Sequence, residues 1–304
     1  MTLPKNQLFL VNFVDAFDAF VEGKCNVLVA PDSEMHKLKN ILIDLGKPVD
    51  DFLVSPVSTV DGAALATRED DGQWSDSVFW ALQALQTAEA HGFTQESFVN
   101  GSAALRQTDA FGEDCKDVFN DAVAAVGNFG EFMVKHDENA FPRRSYNQMN
   151  NGKTGIIKSH PLGVVGTEGP GPFPGGTIAS VQEKGKLFCA VQSKHPGFAE
   201  DTVNATGWHG MDIDCCRAVN AAMFGLGEEN LGLVKVGGDE EGFKLLQNGD
   251  IDLCAGVMVT MERDVREPST GTGFAFSRPC FYNVSAILNK QVGAECRQCT
   301  AIAF

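Results

Sequence analysis

The sequence predicts an α/β protein built from βαβ units, with mainly parallel sheets. Short apolar runs of strand length alternate with segments whose apolar residues recur at helical spacing. Glycines such as Gly23 and Gly46 close the helical segments. The 304 residues are enough for two lobes, each with its own core, at ~100 to 200 residues per domain.

In order along the chain, QLFLVNF reads as a strand and VDAFDAFVEG as a helix, with Val14, Phe17, Phe20 and Val21 at helical spacing and a stop at Gly23. CNVLVAP is a buried strand and MHKLKNILIDLG a helix ended by Gly46. DFLVSPVS and DGAALATR are strands. Trp74 to His91 forms an amphipathic helix with Val78, Ala81, Leu82 and Leu85 on one face. Residues 95–160 are helical and loop-rich, and VVGTEGPGPFPGG, residues 164–176, has the composition of a linker. A second βαβ series follows: KGKLFCAVQ (strand), MDIDCCRAVNAAMFG (helix), GLVKVGG (strand), EEGFKLLQNG (helix), IDLCAGVMV (strand) and FYNVSAILN (strand). No internal repeat is seen.

The composition, 43% hydrophobic and 21% charged, is that of an ordinary globular chain, and no window is apolar long enough to span a bilayer. A net charge of −16 argues against nucleic acid and anionic membranes as partners. The opening MTLPKNQLFLVNFVDAF reads as a strand running into a helix rather than a signal peptide, because Asp15 interrupts its apolar run. Nine cysteines point to an oxidising, extracytoplasmic compartment with some disulfides, and their odd number leaves at least one unpaired. None belongs to a zinc pattern: Cys296 and Cys299 lack a second pair at suitable spacing. No cofactor motif stands out either, since the Gly-rich 164–176 stretch lacks the Lys and Ser/Thr of a phosphate loop.

The order strand, GMDID turn, helix, strand, helix with LLQNGDIDL, strand, then VTMERD carries a resemblance. Residues 177–290, from TIASVQEKGKLFCAVQSKHPGF to FYNVSAILNK, resemble the amino-terminal lobe of the polar amino acid-binding proteins of ABC transporters, closest to the general L-amino acid-binding group. FVEGKCNVLVAPDS, DGQWSDSVFWALQALQTAEAHGFTQ and VGNFGEFMVKH resemble the second lobe and the carboxyl-terminal helices of the same family. The resemblance therefore runs in swapped order and implies a type II periplasmic-binding-protein fold that is circularly permuted, or that is one unit cut from a tandem array of such domains at a shifted boundary. It implies residues 1–68 with 284–304 as a second lobe, 69–163 as carboxyl-terminal helices of the first lobe, 164–176 as linker and 177–283 as the first-lobe core. Surface termini that lie close together tolerate such a rearrangement.

The resemblance implies an amino acid held between two lobes. Arg263, helped by Thr260, stands at the position that grips the α-carboxylate, where a planar guanidinium suits a carboxylate. Asp32 stands where an ammonium is taken, and it reads equally as the N-cap of a helix starting near Ser33. Phe198, with His195 as neighbour, is the aromatic lid position or simply a packed loop phenylalanine. Arg263 also reads as a surface arginine on the following helix.

Two departures from the family pattern bear on function. Where small hydroxyl residues are usual, this chain has Gly256 and Met258; backbone amides remain for a carboxylate, while Met258 narrows the pocket. GAECRQCTAIAF carries no Gly-Thr-Thr turn, which implies a trimmed second lobe. The family pattern also suggests a bridge from Cys189 to Cys215 or Cys216, and one from Cys25 to Cys296 or Cys299. Asp212 and Asp214 read as helix-start residues favoured by the dipole.

The expected function is non-catalytic binding of a small solute, an L-amino acid. The alternative is a structural or interaction protein that keeps the fold without the ligand, as one unit of an assembly. A dehydratase-like enzyme needs a poised acid or base, and His195 and Glu262 form no paired constellation.

Overall fold

The computed structural model describes residues 8–10, 13–25, 27–31, 38, 41–46, 52–54, 59–112, 115–136, 143–150, 155–162, 174–193, 197–202, 207–265, 273–290 and 301–303. Among these the strands are β1 (Leu8–Leu10), β2 (Val27–Pro31), β3 (Phe52–Val54), β4 (Thr59–Arg68), β5 (Leu187–Gln192), β6 (Glu200–Thr202), β7 (Gly207–His209), β8 (Leu231–Val236), β9 (Leu253–Met258), β10 (Phe274–Phe276), β11 (Phe281–Lys290) and β12 (Ala301–Ala303). The helices are α1 (Phe13–Val21), α2 (Gly72–His91), α3 (Gln95–Val99), α4 (Val118–Val126), α5 (Phe129–Lys135), α6 (Thr177–Lys184), α7 (Met211–Phe224), α8 (Asp239–Asn248) and α9 (Met261–Asp264).

The chain divides into two compact units, residues 1–61 with 282–304 and residues 62–281, so the backbone passes between them twice, within β4 and at the start of β11. In the first unit β12 pairs in parallel with β1 and β2, while β11 runs antiparallel to β2 and β3. Its core joins Ala16 and Phe20 of α1 to Leu28 and Ala30 of β2, with Cys25, Leu38 and Leu42.

In the second unit β5 lies between β8 and β9, parallel to both, and β9 pairs antiparallel with β4, which in turn pairs antiparallel with β10. The α/β class holds, and the strand pairing within each unit is mixed where mainly parallel sheets are expected. β4, β10 and β11 pair antiparallel with strands far away in the chain, β4 with β9, β10 with β4 and β11 with β2. One face of this sheet packs Ala190, Val236 and Cys254 against Phe243 and Leu246 of α8. β5 alternates sides, so Cys189 points away from that cluster and bonds Cys216 of α7, with a Cα–Cα distance of 6.2 Å.

Adjacent helical residues diverge by about 100°. Of the twin cysteines only Cys216 reaches β5; Cys215 is free, buried, and hydrogen-bonded to the Cys280 thiol. Burial pushes the Cys215 thiol well above its ordinary value, and the Cys280 contact adds to this. The bridge expected from Cys25 is corrected: Cys25 is a free thiol inside the apolar core of the first unit, while Cys296 and Cys299 lie outside the described residues. The Cys189–Cys216 bond closes a loop with a sequence separation of 27. In a chain-entropy account it contributes about 3 to 4 kcal/mol, so the Cys189→Ser, Cys216→Ser double variant is expected to lose that much in urea unfolding.

Helix α2 departs from the expected amphipathic pattern. Its apolar face is buried as read, and so are Ser77, Gln83, Gln86 and Thr87 on its other side. Asp71 caps its start by accepting from the Trp74 amide, and Gly92, at φ 72°, ends it. Most of the 164–176 linker stretch lies outside the described residues, only Pro174, Gly175 and Gly176 falling within them.

Candidate functional site

Gln192, Val236 and Met258 end the three parallel strands β5, β8 and β9 at one edge of the second unit's sheet. From β5 the chain runs through α7 to β8 on one side, then through α8 to β9 on the other, so the strand order reverses direction at β5. Open α/β sheets form their binding crevice at the carboxyl ends of strands at such a switch point. The start of α8 belongs to the same edge because it follows β8 directly, and Asp212 at the start of α7 lies against Gly256 of β9.

Arg263 of α9 sits at this edge, with its guanidinium 4.9 Å above the centre of the Phe243 ring. Its Nη1 donates to the Met258 carbonyl at 2.9 Å, and its Nη2 lies 2.6 Å from the Asp239 carboxylate. Asp239 is the first residue of α8, and its other oxygen accepts from Gln192 Nε2 at the end of β5. The site thus holds a cation, a carboxylate, an amide and an aromatic face, with the guanidinium and the carboxylate each about a quarter exposed. Gln192, Asp239 and Phe243 escaped the sequence reading. An acid directly after the Gly-Gly that ends β8, opening the next helix, was the available sign.

Thr260 caps α9 through its carbonyl, which accepts from the Arg263 and Asp264 amides. Gly256 has φ 70°, a region side chains rarely adopt, and a Cβ there would meet the Asp212 carboxylate. This gives Gly256 a backbone reason for being glycine. Met258 is 44% exposed at the rim, beside the exposed Val259 and Met261. Phe198 is buried, its ring edge-on to Phe281 at 5.2 Å, and its carbonyl accepts from the Asp212 amide. The aromatic face presented to Arg263 is that of Phe243. Asp32 and His195 lie outside the described residues. Beneath the crevice the Cys254 thiol is pushed up to about 12 by burial and by the Asp239 and Asp212 carboxylates, with Arg263 opposing.

The start of α7 is more than a dipole-favoured pair of acids: Asp212 and Asp214 are both buried. Asp214 accepts from Lys135 Nζ at 2.6 Å and His136 Nε2 at 2.8 Å through one oxygen, and from Arg217 Nη1 at 2.8 Å through the other. Burial pushes its pKa up, but the His136 bond, the Lys135 charge and bond, and the Arg217 bond outweigh this and hold it at about 2. Lys135, half exposed, and Arg217, which also pairs with Glu228, both converge on Asp214, and the Lys135 contact fastens the end of α5 to the start of α7.

Among known proteins the chain is similar to one of Escherichia coli K12 named as an amino-acid ABC transporter-binding protein, YhdW, at 32% identity over 110 residues, 36% of this chain and 30% of that protein. It is similar to the general L-amino acid-binding periplasmic protein AapJ of Rhizobium johnstonii at 32% identity over 108 residues, 35% of this chain and 29% of that one. The similarity thus spans under a third of each relative's length. No family model and no solved structure matches the chain. No helix among the described residues is long and apolar enough to cross a membrane.

Proposed function

We propose that this chain, similar over a third of its length to amino-acid-binding proteins of ABC transporters, binds a small solute, an L-amino acid, without catalysing a reaction. The observation that carries this reading is Arg263, held by Phe243 and the Met258 carbonyl at the carboxyl ends of three parallel strands. A guanidinium so placed offers paired donors to an α-carboxylate. Thr260 and the backbone at Gly256 line the same turn, and Asp32 is assigned to the ammonium. Phe198, buried against Phe281, fits the packed-loop reading of that position. The periplasmic name of one relative and the Cys189–Cys216 bond support an extracytoplasmic location.

Circular permutation is part of the same reading. The unit with the first-lobe elements is one continuous stretch, residues 62–281, and the other is split between the two ends of the chain. Exchanging the order of two halves about the 164–176 stretch produces this pattern.

The test is thermal unfolding with each of the twenty L-amino acids at millimolar concentration. At least one is expected to stabilise the protein, by about 2.7 kcal/mol if present at a hundred times its Kd. Arg263→Ala is expected to abolish that shift. Folded protein that responds to none of them refutes the reading. That result would favour a structural or interaction protein, an alternative to which the occupied Arg263 lends support.

A further inference from the structure

The Arg263 guanidinium already carries a carboxylate. Asp239 lies 2.6 Å from Nη2, fixed from behind by the Gln192 amide and from the side by its place at the first residue of α8. We propose that Asp239 is a built-in competitor for the carboxylate subsite, so that a ligand must displace it from Arg263 to bind. The proposal rests on Arg263 being the carboxylate-binding residue.

Mass action and charge both favour Asp239 over a free ligand. An acid on the same rigid unit presents itself at a high effective concentration, against which a free ligand competes from dilute solution. Only the fraction of molecules with Arg263 released is competent, and the apparent Kd rises in inverse proportion to that fraction. The local charge adds to the effect. Asp239 is the carboxylate that Arg263 meets, and both it and the buried Asp212 are near enough to act on the Cys254 thiol. The Asp239 carboxylate itself repels an incoming carboxylate until it withdraws. Asp239 is about a quarter exposed and opens a helix, so a rotamer change carries it toward solvent without moving the sheet.

The consequence is a binding protein whose affinity is set below what its guanidinium allows. Such a site responds to high ligand concentrations and releases ligand readily, because the competitor refills the position vacated.

The test is calorimetric titration of each of the twenty L-amino acids into wild type, Asp239→Asn and Arg263→Ala protein. Asparagine keeps the size and the hydrogen-bonding capacity of the side chain while removing its charge; Asp239→Ala serves if asparagine disturbs folding. The expected result is an amino acid bound at least about tenfold more tightly by Asp239→Asn than by wild type, with binding lost in Arg263→Ala. Equal or weaker binding by both Asp239 variants, with Arg263→Ala still inactive, overturns the competitor and leaves the proposed function standing. Unchanged binding in Arg263→Ala, or no binding by wild type and both Asp239 variants, refutes the site assignment and the competitor together.

Discussion

Replacement of Asp214 by alanine is expected to destabilise the protein by about 3 to 5 kcal/mol, the cost of stranding buried charge. The Asp214 side chain is inaccessible to solvent and is shared by Lys135, His136 and Arg217, of which His136 and Arg217 are themselves largely buried. Removing the acid leaves Lys135 and His136 without this partner and Arg217 with the exposed Glu228 alone. Urea unfolding read by circular dichroism measures the loss, and a change below about 1 kcal/mol would show that the cluster is a solvated surface network. The same carboxylate predicts an acid limit. Its folded pKa of about 2 lies below an unfolded value of ~3.9, so its contribution is fully present above pH ~4 and is lost as pH falls toward 2. At about 1.4 kcal/mol per unit the amount is on the order of 2 kcal/mol. Wild type is expected to show this decline between pH 4 and 2 more steeply than Asp214→Asn, which has no such group to protonate.

Gly210→Ala is expected to cost at least about 4 kcal/mol or to abolish soluble expression. Gly210 immediately precedes α7, at φ 127° and ψ 171°, a conformation essentially confined to glycine. A Cβ there would also fall on the Phe198 carbonyl and lie 2.9 Å from the Ala199 amide nitrogen. Backbone atoms cannot step aside as a side-chain tip can. Gly207→Ala is the comparison: φ is 88°, but nothing lies within 4 Å of the added carbon, so only conformational strain of about 1 to 2 kcal/mol is expected. If the two variants unfold at the same urea concentration, the contact between the start of α7 and the Phe198 loop is not what fixes this turn.

Strands and helices were legible in the sequence wherever their signal is local. β5, α7, β8, α8 and β9 follow from apolar runs, helical spacing and closing glycines, and each lies where those signs place it. The bond from Cys189 to a twin cysteine was legible for the same reason, since a strand and the helix after it pack together; which twin bonds depends on helix rotation. Three things were not legible. The strand directions of β4, β10 and β11 depend on where the chain returns, which apolar content does not encode. The burial of Gln83 and Gln86 on α2 depends on neighbours arriving from elsewhere in the chain. The partners of Asp214 on α5 stand 78 and 79 positions away, and Arg263 meets Asp239 only because β9 carries it to the edge where α8 starts. A pairwise charge contact of that kind leaves no periodicity to read.

The continuity of residues 62–281 has a practical side. Gln192, Asp239, Phe243 and Arg263, the Asp214 cluster and the Cys189–Cys216 bond are all encoded in that one uninterrupted segment. A single excised gene fragment would therefore carry the whole guanidinium site, its competitor and its fastening. The half-site chemistry is thereby encoded apart from whatever the flanking segments contribute, in 220 of the 304 residues.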